Sequence, residues 1–272
     1  MRIDPQAVTE IIAEVARQEI LPRFRALRDQ DVRRKRSGEL VTVADEAAEQ
    51  ELSRRLRDLL PGSQVVGEES VEADPTILER LTGTDPVWIV DPVDGTGNFA
   101  GGSPVFAVMV GLVREAETLA AWIYDPVTEC AVTAEQGSGA WMGDKRLRVA
   151  TADTPKAMSG TLHASTFAPA ETARQVQSRR ARVGAIKSLR CAGHEYLRLA
   201  QGTMHFSLFT KLMPWDHVPG TLIQREAGGV AKTLDGALYR ATSHKAPGLL
   251  MAPDEASWQA LEDTLFGSGD LT

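Results

Sequence analysis

Residues 88–99 read Trp-Ile-Val-Asp-Pro-Val-Asp-Gly-Thr-Gly-Asn-Phe, so that Asp91 and Asp94 lie three residues apart at the end of an apolar run. The β-prone stretch 87–90 has the pattern of a buried strand, which puts Asp91 at its C-terminal end, and Pro92 is expected to stop the strand there. Gly95 then gives the backbone room to turn and leaves the amides of Gly95 and Thr96 free to face an anion. Two carboxylates beside free amides suit a phosphate held through a metal ion.

Hydrolysis of a phosphate monoester is so slow unaided that catalysis can require accelerations of up to ~10²¹. Neutralising the phosphate charge is the obvious remedy. Carboxylate and carbonyl oxygens select Mg²⁺ or a similar hard ion, and no cluster of Cys or His competes for that role. Taken alone, the neighbouring acids Glu68 and Glu69 would be solvated loop residues, and Asp216 would be the complement to a helix dipole.

The 91–99 stretch resembles the Asp-Pro-x-Asp-Gly-Thr-x-Asn-Phe signature of the inositol monophosphatase family of magnesium-dependent phosphomonoesterases. Val66-Gly67-Glu68-Glu69-Ser70 resembles that family's Gly-Glu-Glu loop. Trp215-Asp216 followed by Glu226-Ala227-Gly228-Gly229 resembles its Trp-Asp and Glu-Ala-Gly-Gly element. Order and spacing agree, from the first helix to about Ala252. The resemblance implies an α/β (α+β) fold, a helix–sheet–helix–sheet–helix sandwich of the inositol monophosphatase and fructose bisphosphatase type. It implies Mg²⁺ as cofactor, with two or three ions per site. Glu68, Asp91 and the Val93 carbonyl would hold the first ion, and Asp91, Asp94 and Asp216 the second. Thr96 and Glu68 would orient and deprotonate the water, Asp45 would support Thr96, and the Gly95 and Thr96 amides would hold the phosphate. A homodimer is also implied.

Substrate choice is less determined. Against the family pattern, Phe209 stands where inositol-cleaving members carry a Glu, His205 where many carry an Asp, and Arg190 where a Gly is common. Phe209 is either a repacked loop residue or a changed pocket wall. Arg190 is either a surface charge or a partner for a carboxylate or second phosphate. The expected function is Mg²⁺-dependent hydrolysis of a small phosphorylated metabolite, inositol monophosphatase-like with an altered pocket. Histidinol phosphate, fructose bisphosphate and adenosine bisphosphate are the alternative substrates. A protein of another class, holding metal or phosphate without turnover, would be expected to have lost Thr96, Glu68 or Asp45; all three are present. Phosphoryl transfer to another acceptor lacks a Gly-x-x-x-x-Gly-Lys loop. His194, His205 and His217 are expected to be structural or solvent-facing.

The elements that must position these residues follow from local signals. Asp4-Pro5 opens a helix bearing Val8, Ile11, Ile12 and Val15 at helical spacing, which Pro22 should end or kink. Thr42-x-x-Asp45 is a capping box for a second helix with Ala48, Leu52, Leu56 and Leu59 on its apolar stripe. A short strand at Val65-Val66 and a brief helix over 76–82 precede the central motif. Residues 105–113, 119–124 and 130–134 predict an antiparallel meander. Beyond Thr151 strand and helix alternate: strand 161–166, helices 169–181 and 193–200, strand 204–208, a helix from Trp215 to Gly228-Gly229 with Pro219 early enough to be tolerated, strand 249–251, and a closing helix from Asp254 with Trp258, Leu261 and Leu265 inward. One domain over 1–266 is expected, with subdomains 1–150 and 151–266 and a frayed tail over 267–272.

With 272 residues and 43% hydrophobic content the chain has ample material for a core, and its net charge of −7 argues against a nucleic-acid surface as the main function. The run Arg33-Arg34-Lys35-Arg36 is either a solvated loop or a basic rim that attracts phosphate. Cys130 and Cys191 give no disulfide framework, which fits a reducing cytoplasm, and no signal pattern or membrane-length apolar run is evident.

Overall fold

The computed structural model describes residues 3–164, 168–185 and 187–267. Its frame is a seven-stranded sheet made of β3 (Gln64–Gly67), β4 (Val87–Asp94), β5 (Ala107–Arg114), β6 (Glu117–Asp125), β7 (Cys130–Glu135), β8 (Gly139–Met142) and β9 (Lys145–Arg146), in that spatial order. β3 runs parallel to β4 and every other pair is antiparallel, so the meander expected from the sequence is present. Side chains alternate between faces along a strand. Trp88 and Val90 accordingly join the core under α1 (Pro5–Val15) and α2 (Val43–Leu59), while Val87 and Ile89 join the core under α6 (Ala192–Ala200) and α7 (Pro214–Glu226).

A second sheet pairs β10 (Gly160–His163) in parallel with β11 (Phe206–Phe209), followed by β13 (Leu249–Ala252) and β12 (Val230–Thr233). Its inner residues Phe209, Ala231, Leu249 and Met251 share a core with α6 and α7. Phe206, Leu208, Leu250 and Ala252 pack outward against α5 (Ala170–Arg179) and α8 (Glu255–Phe266). The order of layers is thus helix, sheet, helix, sheet, helix, as the fold class required. The hairpin β1 (Val32–Arg34) and β2 (Leu40–Thr42), and the short helices α3 (Glu68–Ala73) and α4 (Thr96–Ala100), complete the frame.

The local signals act as expected at most ends. Asp4 caps α1 by accepting from Gln6 N, and Asp254 caps α8 by accepting from Ser257 N. Thr42 and Asp45 form the reciprocal box at the start of α2. α1 runs through a wide turn, Ala16–Ile20, into a tight one that contains Pro22. The expected strand over 161–166 is β10 as far as His163, and its end lies outside the described residues, as does the tail beyond Gly267.

Two expectations fail for physical reasons. Pro92 does not stop its strand, because β4 continues to Asp94 through an irregularity in its pairing with β5. β3 has run out at Gly67, opposite Val90, and a bulge is where a sheet tolerates a residue without an N–H. Pro219 lies inside α7 rather than in its tolerant first turn. Its ring packs toward Gly111 on β5, where an added Cβ would come within 2.9 Å of the neighbouring Val218.

Close contact between α6 and α7 fixes the inner layer. A Cβ on Gly220 would fall 2.1 Å from the ring of Tyr196, which is 1% exposed and held through its hydroxyl to His217 Nδ1 at 3.0 Å. Gly→Ala inside a helix ordinarily gains up to ~1 kcal/mol. Here overpacking should cost ~1–3 kcal/mol and prevail. Urea unfolding of Gly220→Ala is therefore expected to show net destabilisation, and an unchanged or raised midpoint would mean that the two helices are not in this contact.

Candidate active site

The irregularity in β4 decides the site. On a regular strand Asp91 and Asp94, three residues apart, would point to opposite faces. Between the pairs Asp91↔Met109 and Asp94↔Ala107 there are three steps on β4 against two on β5, and the extra residue flips the alternation. Val93 therefore turns into the α1/α2 core, and both aspartates face the layer that carries α7. Asp216, in the first turn of α7, meets them there, and one oxygen of each of the three carboxylates lies within 4.8 Å of the others.

These groups line a cavity of about 480 Å³ that also takes in Glu68, Val93, Gly95, Thr96, His163, Arg190, Phe209 and Lys211. Burial, followed by the charges of Glu68, Asp94 and Asp216, holds the Asp91 carboxyl well above the usual carboxylate range. Burial and then Glu68 do the same to Asp216. Asp94 is raised by burial, against the pull of its hydrogen bonds. Those bonds come from the start of α6: Gly193 N donates at 2.6 Å, Ala192 N at 3.1 Å and the Cys191 thiol at 2.9 Å. Glycine is needed at 193, because a Cβ would sit 3.0 Å from Asp94 Oδ2 and 2.9 Å from Ala107 Cβ. All three carboxylates would be relieved by a cation, and an all-oxygen donor set fits a hard divalent one.

Glu68 opens α3 at the end of β3 and does not join the three-carboxylate group. Lys35 Nζ donates to Glu68 and to Glu69, each at 2.6 Å. Burial against this pairing raises Glu68 to about 7 and, with the Glu68 charge added, Glu69 to about 8. The loop is gripped from behind by Glu49 of α2, which accepts from Glu69 N at 2.7 Å, from Ser70 N at 2.9 Å and from the Ser70 hydroxyl. Gly67 allows this grip, since a Cβ there would lie 2.3 Å from the Glu49 carboxyl carbon.

Thr96 follows Gly95, whose backbone is left-handed (φ +86°) and whose absent Cβ would otherwise approach Val105 O to 3.0 Å. The Thr96 hydroxyl lies 3.0 Å from Asp45 Oδ1 and 3.0 Å from Val93 O. Asp45 is 1% exposed, and its other oxygen is occupied by Thr42.

The basic run divides by residue, and neither simple account covers all of it. Lys35 is inside with a side chain only 3% exposed, Arg34 lines the cavity, and Arg33 pairs with Glu46 at the surface. Arg190 also lines the cavity, with Nη2 3.7 Å from the position a Gly97 Cβ would take. Its backbone is left-handed (φ +55°), which explains why glycine suits this position. His217 is buried and held by Tyr196 and Lys211 O, its pKa lowered by burial to about 4, and so stays neutral and structural. His205 bonds to Ser159 and His194 to Phe106 O, in keeping with structural roles. Lys35, Glu49, Cys191, Gly193 and His163 were not legible as site residues, because each acts through a partner distant in the chain.

A model of the inositol monophosphatase family matches residues 4–264. The chain belongs to the inositol monophosphatase family. It is 33% identical over 217 residues to an inositol-1-monophosphatase of Mesorhizobium japonicum, covering 78% of this chain and 79% of that protein. It is 32% identical over 209 residues to Nus factor SuhB of Escherichia coli, covering 74% of each chain. The solved structure of extragenic suppressor protein suhB from Bartonella henselae superposes with a TM-score of 0.81 at 26% identity, over 97% of this chain and 100% of that one.

A pH-dependent consequence follows from the crowded carboxylates. The unfolded Asp91 carboxyl titrates near ~3.9, while its folded pKa is raised. The folded state therefore holds the proton more tightly, and the stability this confers is full below the unfolded pKa and is lost as pH rises through the folded one. Asp91→Asn removes the charge while keeping an acceptor for Val93 N, now at 3.1 Å. In chelator at pH 8 the variant should melt about 3 °C above the wild type, the shift that about 1 kcal/mol gives in a chain of this size. The gap should close toward pH 4. A less stable variant at pH 8 would show that the carboxylates do not repel as described.

Proposed function

We propose that the protein is a divalent-metal-dependent phosphatase that hydrolyses a small phosphate monoester, with Mg²⁺ as the ion. The observation that carries this is the convergence of Asp91, Asp94 and Asp216 in the cavity that also holds Glu68 and Thr96, the latter bonded to buried Asp45. Glu68, Asp91 and the Val93 carbonyl would hold one ion, and Asp91, Asp94 and Asp216 another. Bound there, the ions would neutralise phosphate charge and acidify water. The Gly95 and Thr96 amides, at the start of α4, would hold the phosphate oxygens.

The chain's own residues account for the proton. Thr96 has one hydroxyl hydrogen, and giving it to Asp45 or to Val93 O leaves an oxygen lone pair to orient a water. Glu68, which lines the same cavity, would take that water's proton. The water oxygen bonds to phosphorus, the ester P–O bond breaks, and the leaving oxygen takes a proton from solvent. A purely binding protein would not need the Thr96–Asp45 bond.

Phosphate release by the purified protein should require added Mg²⁺ and stop in excess chelator. Thr96→Ala should lower kcat by ~10²–10⁴ with little change in the Mg²⁺ concentration needed. Turnover in chelator, or an unchanged kcat with weakened Mg²⁺ binding, would count against these assignments.

The substrate side departs from polyol recognition, because Phe209 cannot accept a hydroxyl's hydrogen bond. A site built to bind hydroxyls can discriminate by ~10⁴ or more, against tens to hundreds for an apolar wall. Inositol-1-phosphate should therefore be a weak substrate. Arg190 makes substrates with a second anionic group the better ones, and Arg190→Ala should raise KM for fructose bisphosphate by about tenfold. A clear preference for inositol-1-phosphate, or a KM that does not move, would refute this assignment.

A further inference from the structure

We propose that a second cavity, on the outer side of β10, is a binding site for an anionic amphiphile, an alkyl chain that ends in a carboxylate or a comparable anionic head. The cavity has a volume of about 850 Å³, enough for a small ligand. β10 is the end strand of its sheet, and its free side is covered at Gly160, whose N–H donates to Ala185 O at 2.9 Å and whose carbonyl accepts from Lys187 N at 3.0 Å. Thr161 faces the inner layer, where its hydroxyl donates to Glu195, so alternation turns Leu162 to the outer face. Leu162 and Ala164 line one side of the cavity, and Ala173 and Val176 of α5 the other. Ala164 is 3% and Val176 4% exposed, whereas Leu162 and Ala173 are only half-buried, so the two elements leave an apolar floor between them that they do not close.

The rim of this floor is cationic. Residues 173, 176 and 180 follow helical spacing along α5 and into the turn after it, so Arg180 stands on the same face as Ala173 and Val176, and it lines the cavity with them. Arg180 pairs with no carboxylate among the described residues, and no Asp or Glu among them lines the cavity. Arg174 lines it too and pairs with Glu171, but those side chains are 76% and 68% exposed, and a pair in that position contributes little. From residue 172 to residue 194 the chain carries Arg174, Arg179, Arg180, Arg182, Lys187 and Arg190 and no Asp or Glu, although its net charge is −7. Cations at the end of α5 complement the helix dipole. That accounts for Arg179, which turns inward to Leu265 O, and for a charge at 180, but not for Arg174, Lys187 or the lack of acids beyond the helix.

Floor and rim together select the ligand. A polyanion without a hydrocarbon part would leave the apolar floor in water, and a neutral hydrocarbon would leave the guanidinium groups without an anion. An alkyl chain with one anionic head satisfies both, burying apolar surface while its head meets charge-assisted donors. Ser188 adds a further donor to the lining: its Oγ accepts from Arg190 N at 3.2 Å, which leaves the hydroxyl hydrogen to give to the head. Leu162 and His163, neighbours on β10, line different cavities, so this site is separate from the one that holds the carboxylates and does not depend on the phosphatase reading.

The test is calorimetric titration of the full chain with decanoate, hexanoate and decyltrimethylammonium, each below its micelle-forming concentration. Decanoate should bind at least about tenfold more tightly than hexanoate, because four further methylenes reach the floor. It should also bind at least about tenfold more tightly than the cation of the same chain length, against the preference that a net charge of −7 alone would give. Arg180→Glu, which reverses a rim charge, and Ala173→Phe, which fills the floor, should each weaken decanoate by about tenfold, and Arg190→Ala, in the other cavity, should leave it unchanged. Arg180 is exposed and its replacement leaves the core intact, so this variant decides the outcome if Ala173→Phe is unstable. No saturable binding of decanoate, equal affinity for hexanoate or for the cation, an affinity indifferent to Arg180→Glu, or one lost in Arg190→Ala instead would overturn the proposal. So would a sedimentation coefficient that falls in Arg180→Glu, since the face would then be covered by a second copy of this chain.

Discussion

Like charges brought together out of water repel, and the site is organised around holding Asp91, Asp94 and Asp216 together despite that repulsion. Each carboxylate is opposed differently. Asp94 takes two amides from the start of α6, where the helix presents the positive end of its dipole. Asp216 sits in the first turn of α7, on the same favourable end of another helix. Asp91 has a backbone donor, Val93 N, and burial with the neighbouring acids Glu68, Asp94, Asp216 and Asp45 drives its pKa well up. Asp91, like Asp216, would therefore be relieved by a cation, which is consistent with the bridging role proposed for it.

Lys35 meets the same electrostatic problem at the edge of the cluster. Its ammonium lies between Glu68 and Glu69, and burial there would be costly without both partners. Glu49 then fixes the backbone of the loop, so that the position of Glu68 depends on α2 as well as on its own helix. The Thr42–Asp45 capping box shows the same economy. One Asp45 oxygen closes the box at the helix start while the other receives the Thr96 hydroxyl, so a local folding signal also serves the site.

Where the sequence was legible, the information was local. The Thr42–Asp45 capping box, the β-rich runs of the meander and the closing helix follow from neighbours within a few residues, and the order of motifs was enough to name the layers. The bulge was not legible, because Pro92 signals only that a donor is missing. Whether the strand ends or flips depends on β3 stopping opposite Val90 and β5 continuing. Gly193 and Gly67 look like ordinary helix and turn glycines until Asp94 and Glu49 are placed against them. The four-residue basic run was illegible for a related reason, since alternation along β1 separates Arg33 from Arg34, and the turn after the strand carries Lys35 to Glu68 and Glu69. Among the histidines, those beside recognised motifs drew notice, whereas His163 acquires its importance from Glu195 and Phe209, which lie 32 and 46 residues further along the chain.

The division of labour between the sheets has a consequence for specificity. Asp91, Asp94, Glu68 and Thr96 all depend on the first sheet and its flanking turns, whereas His163 and Phe209 belong to the second, with α6 and α7 between them. Asp216 and Asp94 tie the halves together, the first by standing on α7 and the second by capping α6. On the proposed function, the phosphate end of a substrate would be confined to a geometry set by these charges. The organic end would then meet a wall in which buried Glu195 is bonded to His163 and Phe209 packs on His217, the neighbour of Asp216. Under that function, such a fold could keep one chemistry while exchanging a hydrogen-bonding wall for an aromatic one, because the carboxylates and the wall stand on different sheets, joined through the ends of α6 and α7, the Asn98 bonds to Leu189 O and Arg190 O, and the Lys211–Glu39 pair.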